Sequence, residues 1–267
     1  MRSSATPGGK RRRLSGSTKR RPVATQREKS TANLQGKIAL VTGASQGIGL
    51  AIARALVASG CKVIITGHNR KSLDRAAKAL QSRGEVLPIV CDVRDADAVT
   101  SLFAEIRRKY RRLDILINNA GIAHPNLPVA SLPADVWRDV FETNLTGMFF
   151  VTRAALPLMK RGGVIVNNLS IAAKRIFAGS AAYDASKHAA LALTTSLREE
   201  LRPEGIRVIA LLPGATDTAI WNTIWPDAPR KKMMSPKTVA RAVVDLLRLP
   251  DNSTVEELVI LPTGGAL

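Results

Sequence analysis

Lys37-Ile38-Ala39-Leu40-Val41-Thr42-Gly43-Ala44-Ser45-Gln46-Gly47-Ile48-Gly49 is the stretch on which the fold turns. Its first half is a short apolar run of the kind that forms a buried strand. Glycines follow, and after them Ala, Leu and Ile recur at helical spacing through Val57. Strand, glycine turn and helix in that order make a phosphate cradle. Glycine lets a backbone approach closely, and the free N–H groups of a helix start attract a pyrophosphate. The spacing is G-x-x-x-G-x-G rather than the commoner G-x-G-x-x-G.

The alternation continues outward. Residues 62–66 read as a second strand, ending in Gly67-His68-Asn69-Arg70-Lys71. In dinucleotide folds an acid near this strand end bonds the ribose 2′-hydroxyl of NAD, whereas basic residues accept the 2′-phosphate of NADP. No acid appears before Asp74, and the basic His68, Arg70 and Lys71 are available, with Asn69 beside them at the cofactor, so NADP is the preferred cofactor with NAD possible. Residues 85–91 form a third strand closed by Asp92-Val93. Residues 95–109 form a helix with Asp95 as its cap, and residues 113–117 a fourth strand running into Asn118-Asn119-Ala120-Gly121. Pro133 opens a long helical region that carries Asn144. Strands at 163–169 and 206–212, the latter followed by Pro213-Gly214, a helix at 236–248 and a last strand at 257–261 complete the chain. The prediction is a single-domain α/β, Rossmann-like doubly wound parallel sheet of about seven strands over residues 35–267, with helices on both faces.

A second stretch carries the chemistry. Ser170 ends an apolar strand, and from Ser180 onward Ala182, Ala185, Ala189, Leu193 and Leu197 keep helical spacing. Tyr183 and Lys187 are then one turn apart on the same helix face. A phenol ordinarily titrates near pH 10, and a neighbouring ammonium lowers that value by stabilising the phenolate. Ser170, facing the pair across a cleft, could hydrogen-bond a reacting carbonyl. That makes a proton-transfer site for a carbonyl–alcohol couple.

The chain has 267 residues and is 45% apolar, enough for one large domain with a full core. Its net charge of +19 is uneven. Ten Lys or Arg against one Glu fall in residues 1–35, with Ser, Thr, Pro and Gly between them, so residues 1–34 are expected to be a disordered basic tail. The tail's Arg and Ser content is like that of an organellar transit peptide, but Pro7, Gly8, Gly9, Gly16 and Pro22 oppose the amphipathic helix such peptides need. No apolar run approaches a membrane span, and two cysteines, Cys61 and Cys91, read as small buried hydrophobes. A soluble, reducing compartment, the cytoplasm, is expected. No metal-ligand cluster accompanies the three histidines, so no metal is expected.

With these motifs in order, residues 35–265 resemble the short-chain dehydrogenase/reductase family. The glycine loop is Thr42 to Gly49, with Gly43, Ser45, Gln46, Gly47, Ile48 and Gly49 at the cofactor. Asp92, with Val93, matches the family's adenine-contacting acid, and Asn119, Ala120 and Gly121 belong to its sheet-stabilising motif. Pro213, Gly214, Thr216 and Thr218 match the segment that holds the nicotinamide carboxamide. The resemblance implies a catalytic set of Asn144, Ser170, Tyr183 and Lys187. Tyr183 would be the general acid/base, Lys187 would lower its pKa and hold the nicotinamide ribose, Ser170 would polarise the substrate oxygen, and Asn144 would anchor a relay water. The expected reaction is NADPH-dependent reduction of a ketone, of 3-oxoacyl type or a small polar or heterocyclic carbonyl. Thr216 stands where valine is frequent, and Gln46 where NADP enzymes often carry Arg or Lys.

Substrate choice should lie in the loops after the fourth, fifth and sixth strands, which contribute His124, Lys174, Arg175, Phe177 and residues 219–234. Trp221 and Trp225 there could line an apolar pocket, anchor a lid or pack at a subunit contact. His124 reads as a loop residue rather than a catalyst. A homodimer or homotetramer is expected, because the helix from Ala181 has apolar and small residues on more than one face. An alternative of another class is a polyanion or nucleic-acid-binding protein on a retired dehydrogenase fold, supported by the basic tail. The retained Tyr183 and Lys187 and the lack of aromatics between the tail's charges count against it, leaving non-specific contact by the tail.

Overall fold

Apolar runs form seven strands: β1 (Ile38–Val41), β2 (Lys62–Gly67), β3 (Val86–Val90), β4 (Ile115–Asn118), β5 (Val164–Asn168), β6 (Arg207–Pro213) and β7 (Glu257–Ile260). All neighbours pair in parallel, in the order β3-β2-β1-β4-β5-β6-β7. The computed structural model describes Gly8 and residues 32–265. Each strand differs by a residue or two from its sequence expectation, at the ends where hydrogen bonding frays. Pro88 lacks an N–H for a ladder, and β3 accommodates it by lying at the sheet edge.

The helices are α1 (Gly47–Ala58), α2 (Arg70–Gln81), α3 (Ala96–Tyr110), α4 (Ala134–Phe141), α5 (Gly147–Ala155), α6 (Ala181–Leu201), α7 (Trp221–Ile224) and α8 (Pro236–Leu247). Successive β1 residues serve opposite faces, as the period of two requires: Ala39 and Val41 pack with Leu56, Leu73 and Val243, whereas Ile38 and Leu40 pack with Leu102, Val151 and Leu197. The sheet is therefore sandwiched between α1, α2 and α8 on one side and α3, α5 and α6 on the other. Asp95 caps α3 as expected, accepting from the N–H groups of Asp97 and Ala98.

Between α4 and α5 the expected long helix contains a five-residue π-helical turn, Glu142–Thr146, that carries Asn144. Such bulges concentrate at functional sites. Across the sheet, buried Asn118 donates to Thr152 Oγ1 and Asn167 Oδ1, both at 2.9 Å, and Asn167 donates to Thr194 Oγ1 at 2.9 Å. These bonds satisfy polar groups that would otherwise be costly to bury, and they tie β4 and β5 to α5 and α6.

The expected tail boundary at residue 34 needs correction. Leu34 is 5% exposed and belongs to the core beneath α1, and its carbonyl accepts from the Cys61 thiol. Ala32 donates its N–H to Arg248 O at 2.8 Å. Residues 32–34 are thus part of the domain, while the rest of the expected tail, apart from Gly8, lies outside the described residues. Cys61 and Cys91 are buried free thiols, each pushed up to about 11 by burial. Among the described residues no helix is long and apolar enough to cross a membrane, and no group of three or more His, Cys, Asp or Glu could hold a metal.

Candidate active site

A cavity of about 600 Å³ lies along the carboxyl ends of the strands, and between β1 and β4 the strand order reverses. That reversal is where open α/β sheets part their loops. Gly43, with φ of 60°, sits in the left-handed region that favours glycine, and a Cβ there would lie 2.8 Å from Ala120 Cα. The loop can run this close to β4 only because the side chain is missing. Gln46 gives α1 no side-chain cap, and the first turn of α1 carries no acid, so its N–H groups are free for an anion. Cradle and helix end together fit the pyrophosphate of a dinucleotide.

The Thr42 hydroxyl accepts from the N–H groups of Asn119 and Ala120 at 2.9 and 3.0 Å, and Asn119 Nδ2 donates to Thr42 O at 2.9 Å. These bonds lace the ends of β1 and β4 and set the cradle against the Asn119-Ala120-Gly121 turn. Thr42 was not singled out in the sequence for this, because its position beside a glycine does not reveal what its hydroxyl meets.

Of the catalytic and cofactor-binding residues expected from the sequence, all but Gly49, Asn69, Arg70 and Asn144 line the cavity; of the named substrate-loop residues, Phe177, Trp221 and Trp225 line it and His124, Lys174 and Arg175 do not. Gly49 sits behind the loop. Asn69 is occupied as the cap of α2, its Oδ1 accepting from Ser72 N–H at 3.0 Å. Arg70 is the first residue of α2 and exposed, so His68 is the one of this trio in the wall. A cation that sequence reasoning missed stands nearby. Arg94 lines the cavity and grips Asp92, with Nη2 2.7 Å from Oδ2. That hydrogen bond holds the Asp92 carboxyl below its ordinary range. No spacing rule flags Arg94.

Tyr183 and Lys187 come one turn apart from α6, and Ser170 comes from the end of β5. Lys187 Nζ lies 5.5 Å from the Tyr183 ring centroid and donates to Asn168 O at 3.4 Å. Ser170 Oγ accepts from Ala172 N–H at 3.1 Å, which leaves its own proton free to donate. Burial is the largest influence on the phenol and pushes it up to about 12, against a hydrogen bond from Ser170 that lowers it. Burial also brings Lys187, 5% exposed, down to about 8. Desolvation outweighs the Ser170 bond, so the phenol stands above its ordinary value here.

Asn144 stands just behind the wall. Its Oδ1 accepts from Ile122 N–H at 2.8 Å, and its Nδ2 donates to Ile122 O at 2.9 Å and Ser186 Oγ at 3.0 Å. His124, expected in a loop, is 2% exposed and takes the Tyr183 N–H on Nε2 at 3.4 Å. Beside it Asp184 accepts from Phe177 N–H at 2.7 Å, and burial raises its carboxyl. These contacts seat the first turn of α6 on the loops after β4 and β5. Trp221 and Trp225 both line the cavity, and Trp221 Nε1 donates to Thr216 O at 2.9 Å. Arg230 clasps the same segment through Thr218 O at 2.7 Å, Asn222 Oδ1 at 2.7 Å and Asp217 at 3.0 Å.

The short chain dehydrogenase family model matches residues 37–229. The chain belongs to the short-chain dehydrogenase/reductase family. It is an NAD(P)-dependent oxidoreductase. Over 188 residues it is 41% identical to a 3beta-hydroxysteroid dehydrogenase of Mediterraneibacter gnavus, covering 69% of this chain and 67% of that one. It superposes on an actinorhodin polyketide ketoreductase solved with NADPH at a TM-score of 0.77 and 32% identity, covering 86% of this chain and 98% of that one. An alcohol dehydrogenase of the archaeon Thermococcus sibiricus, complexed with 5-hydroxy-NADP, gives a TM-score of 0.80 at 30% identity over 86% of this chain and 97% of that one.

Proposed function

We propose that this short-chain dehydrogenase/reductase interconverts a carbonyl and a secondary alcohol, working as an NADPH-dependent ketone reductase with NAD as the weaker alternative. The observation that carries the reading is that Ser170, Tyr183 and Lys187 open into the same cavity as the glycine cradle. The NADPH and the NADP derivative in two similar structures support the cofactor choice.

When bound, the nicotinamide supplies the hydride. The protein does the rest. The Ser170 hydroxyl, which bonds Tyr183 in this structure, can turn its proton to the carbonyl oxygen, which raises that carbonyl's electrophilicity and fixes its place. With its pKa near 12, Tyr183 is protonated at neutral pH and can give that proton to the oxygen as it gains charge. Lys187, near 8, is a cation under the same conditions and favours the phenolate left behind. Asn144 acts from behind, holding the Ile122 main chain and, through Ser186, the α6 turn that presents Tyr183.

The test is a carbonyl and alcohol panel followed by the loss or gain of reduced-nicotinamide absorbance. Tyr183→Phe keeps the ring and removes the proton, so turnover should fall by about 10²–10⁴-fold while NADPH still binds by calorimetry. A loss of less than about tenfold would remove Tyr183 from the reaction. A homodimer or homotetramer is part of the same proposal. Trp137 on α4 and Phe149 on α5 are 40% and 41% exposed, large aromatic side chains that a partner subunit would cover. Light scattering at micromolar concentration should give at least a dimer, and a monomer would overturn it.

A further inference from the structure

The proposed reaction leaves open what kind of ketone enters, and the far wall of the cavity answers in its own chemistry. The segments after β4, β5 and β6 contribute Ile122, Phe177, Ile220, Trp221, Ile224 and Trp225 to that wall. The polar side chains they add, among them Asn126, Ser180, Thr216 and Thr218, are neutral. Among the described residues, the charged groups lining the cavity are Asp92, Arg94 and Lys187, at the cofactor side or the reacting oxygen. Of the cations on the flanking loops, Lys174 pairs with Glu257 and Arg230 is held by Asp217, Thr218 and Asn222, while Arg175, Lys231 and Lys232 stand outside the cavity lining.

We propose that the substrate is a neutral ketone with an apolar, ring-sized body, and that carbonyl compounds bearing a carboxylate or phosphate near the ketone are rejected. This rests on the ketone-reductase reading. An anionic group placed against the six apolar residues loses its water and meets no cation in return. Of the two cations lining the cavity among the described residues, Arg94 is paired with Asp92, which leaves Lys187, and an acid drawn to it would displace the carbonyl from Tyr183 and Ser170. A flat ring loses nothing there, since aromatic and aliphatic walls bind apolar faces without a directional partner. Trp225, 45% exposed, forms part of the rim and so gains burial when a ring covers it.

The experiment uses the full chain with NADPH and compares α-tetralone with its ring-carboxylated analogue. kcat/KM should be at least about 100-fold higher for the neutral ketone. Binding is read separately, with NADP⁺ in place of NADPH, from quenching of the fluorescence of Trp221 and Trp225, and should show the same order. Trp225→Ala should raise KM for α-tetralone about tenfold and KM for the smaller cyclohexanone much less. Equal or better binding or reduction of the carboxylated ketone would overturn the inference, as would equal KM changes for the two ring sizes. If neither ketone is turned over, the proposed reaction fails, and the binding comparison still decides what the wall prefers. Binding of neither ketone overturns the inference.

Discussion

The two halves of the cavity are built from different material. The cofactor half is backbone: the Gly43 turn, the open N–H groups of α1 and the laced ends of β1 and β4. The substrate half is side chains, brought from three segments far apart in the chain, the last of them held by Trp221 and Arg230. A backbone cradle tolerates almost no change, because one Cβ fills it. A side-chain wall can be rebuilt residue by residue without touching the sheet. One half is suited to a constant cofactor and the other to a variable substrate.

The sharpest way to break the cofactor half is Gly43→Val. A branched side chain there must leave the left-handed region or overlap Ala120, whose Cα would be 2.8 Å from the new Cβ. NADPH affinity should fall by more than about 100-fold, measured by calorimetry beside a melting curve that separates misfolding from lost binding. A folded variant that binds within about tenfold of the parent would mean the loop is not the pyrophosphate cradle.

A smaller change should redirect the same half. A Cβ at Gly67 meets Ser45 Oγ at 3.6 Å, ordinary contact, so Gly67→Asp fits. Its carboxylate would repel a 2′-phosphate and accept from a 2′-hydroxyl, shifting the NADPH-to-NADH preference by roughly ten- to a hundredfold. Arg70→Ala, changing an exposed residue outside the wall, should shift it less than about threefold. Equal dissociation constants for NADPH and NADH in the unmodified protein would instead sink the NADP preference.

The same contrast explains what was legible in the sequence. Strands and helices were readable because burial on both faces gives near-continuous apolar runs, and α3 because Asp95 caps it. The Gly43 loop was readable because spacing alone describes a backbone feature. The arrangement of Ser170, Tyr183 and Lys187 was readable because a helix turn sets two of them four residues apart. Residues acting across long gaps were not. Arg94 matters through its grip on Asp92 and its place in the wall, His124 through the Tyr183 N–H, and Leu34 through packing beneath α1. Arg70 stands exposed at the start of α2, outside the cavity lining, a placement its sequence position does not reveal. The π-helical turn under Asn144 had no compositional signal at all.

Lys187 stands where the two halves meet, and its burial offers the smallest but cleanest test. Its pKa falls from 10.5 to about 8 because the cation is desolvated. Between those values the unfolded chain binds a proton that the folded protein does not, so stability rises with pH across that window. The cost of burying the cation is fully present below about 8 and gone above about 10.5. Other groups act in the opposite sense higher up. Cys61 and Cys91, raised from 9.0 to about 11, lose stability as pH climbs past 9, and Tyr183, raised from 10.0 to about 12, does so past 10. Between pH 8 and 9 Lys187 should add about 1 kcal/mol, while each thiol, already partly ionised in the unfolded chain, removes roughly 0.3–0.4 kcal/mol. Lys187→Met removes this contribution and leaves the thiols as they are, and the phenol scarcely titrates in this interval, so subtracting its urea-unfolding free energies from those of the parent isolates the lysine. The parent should gain about 1 kcal/mol on the variant between pH 8 and 9. Parallel behaviour over that interval would mean that Lys187 titrates like a solvated lysine, and that water reaches the junction of the two halves.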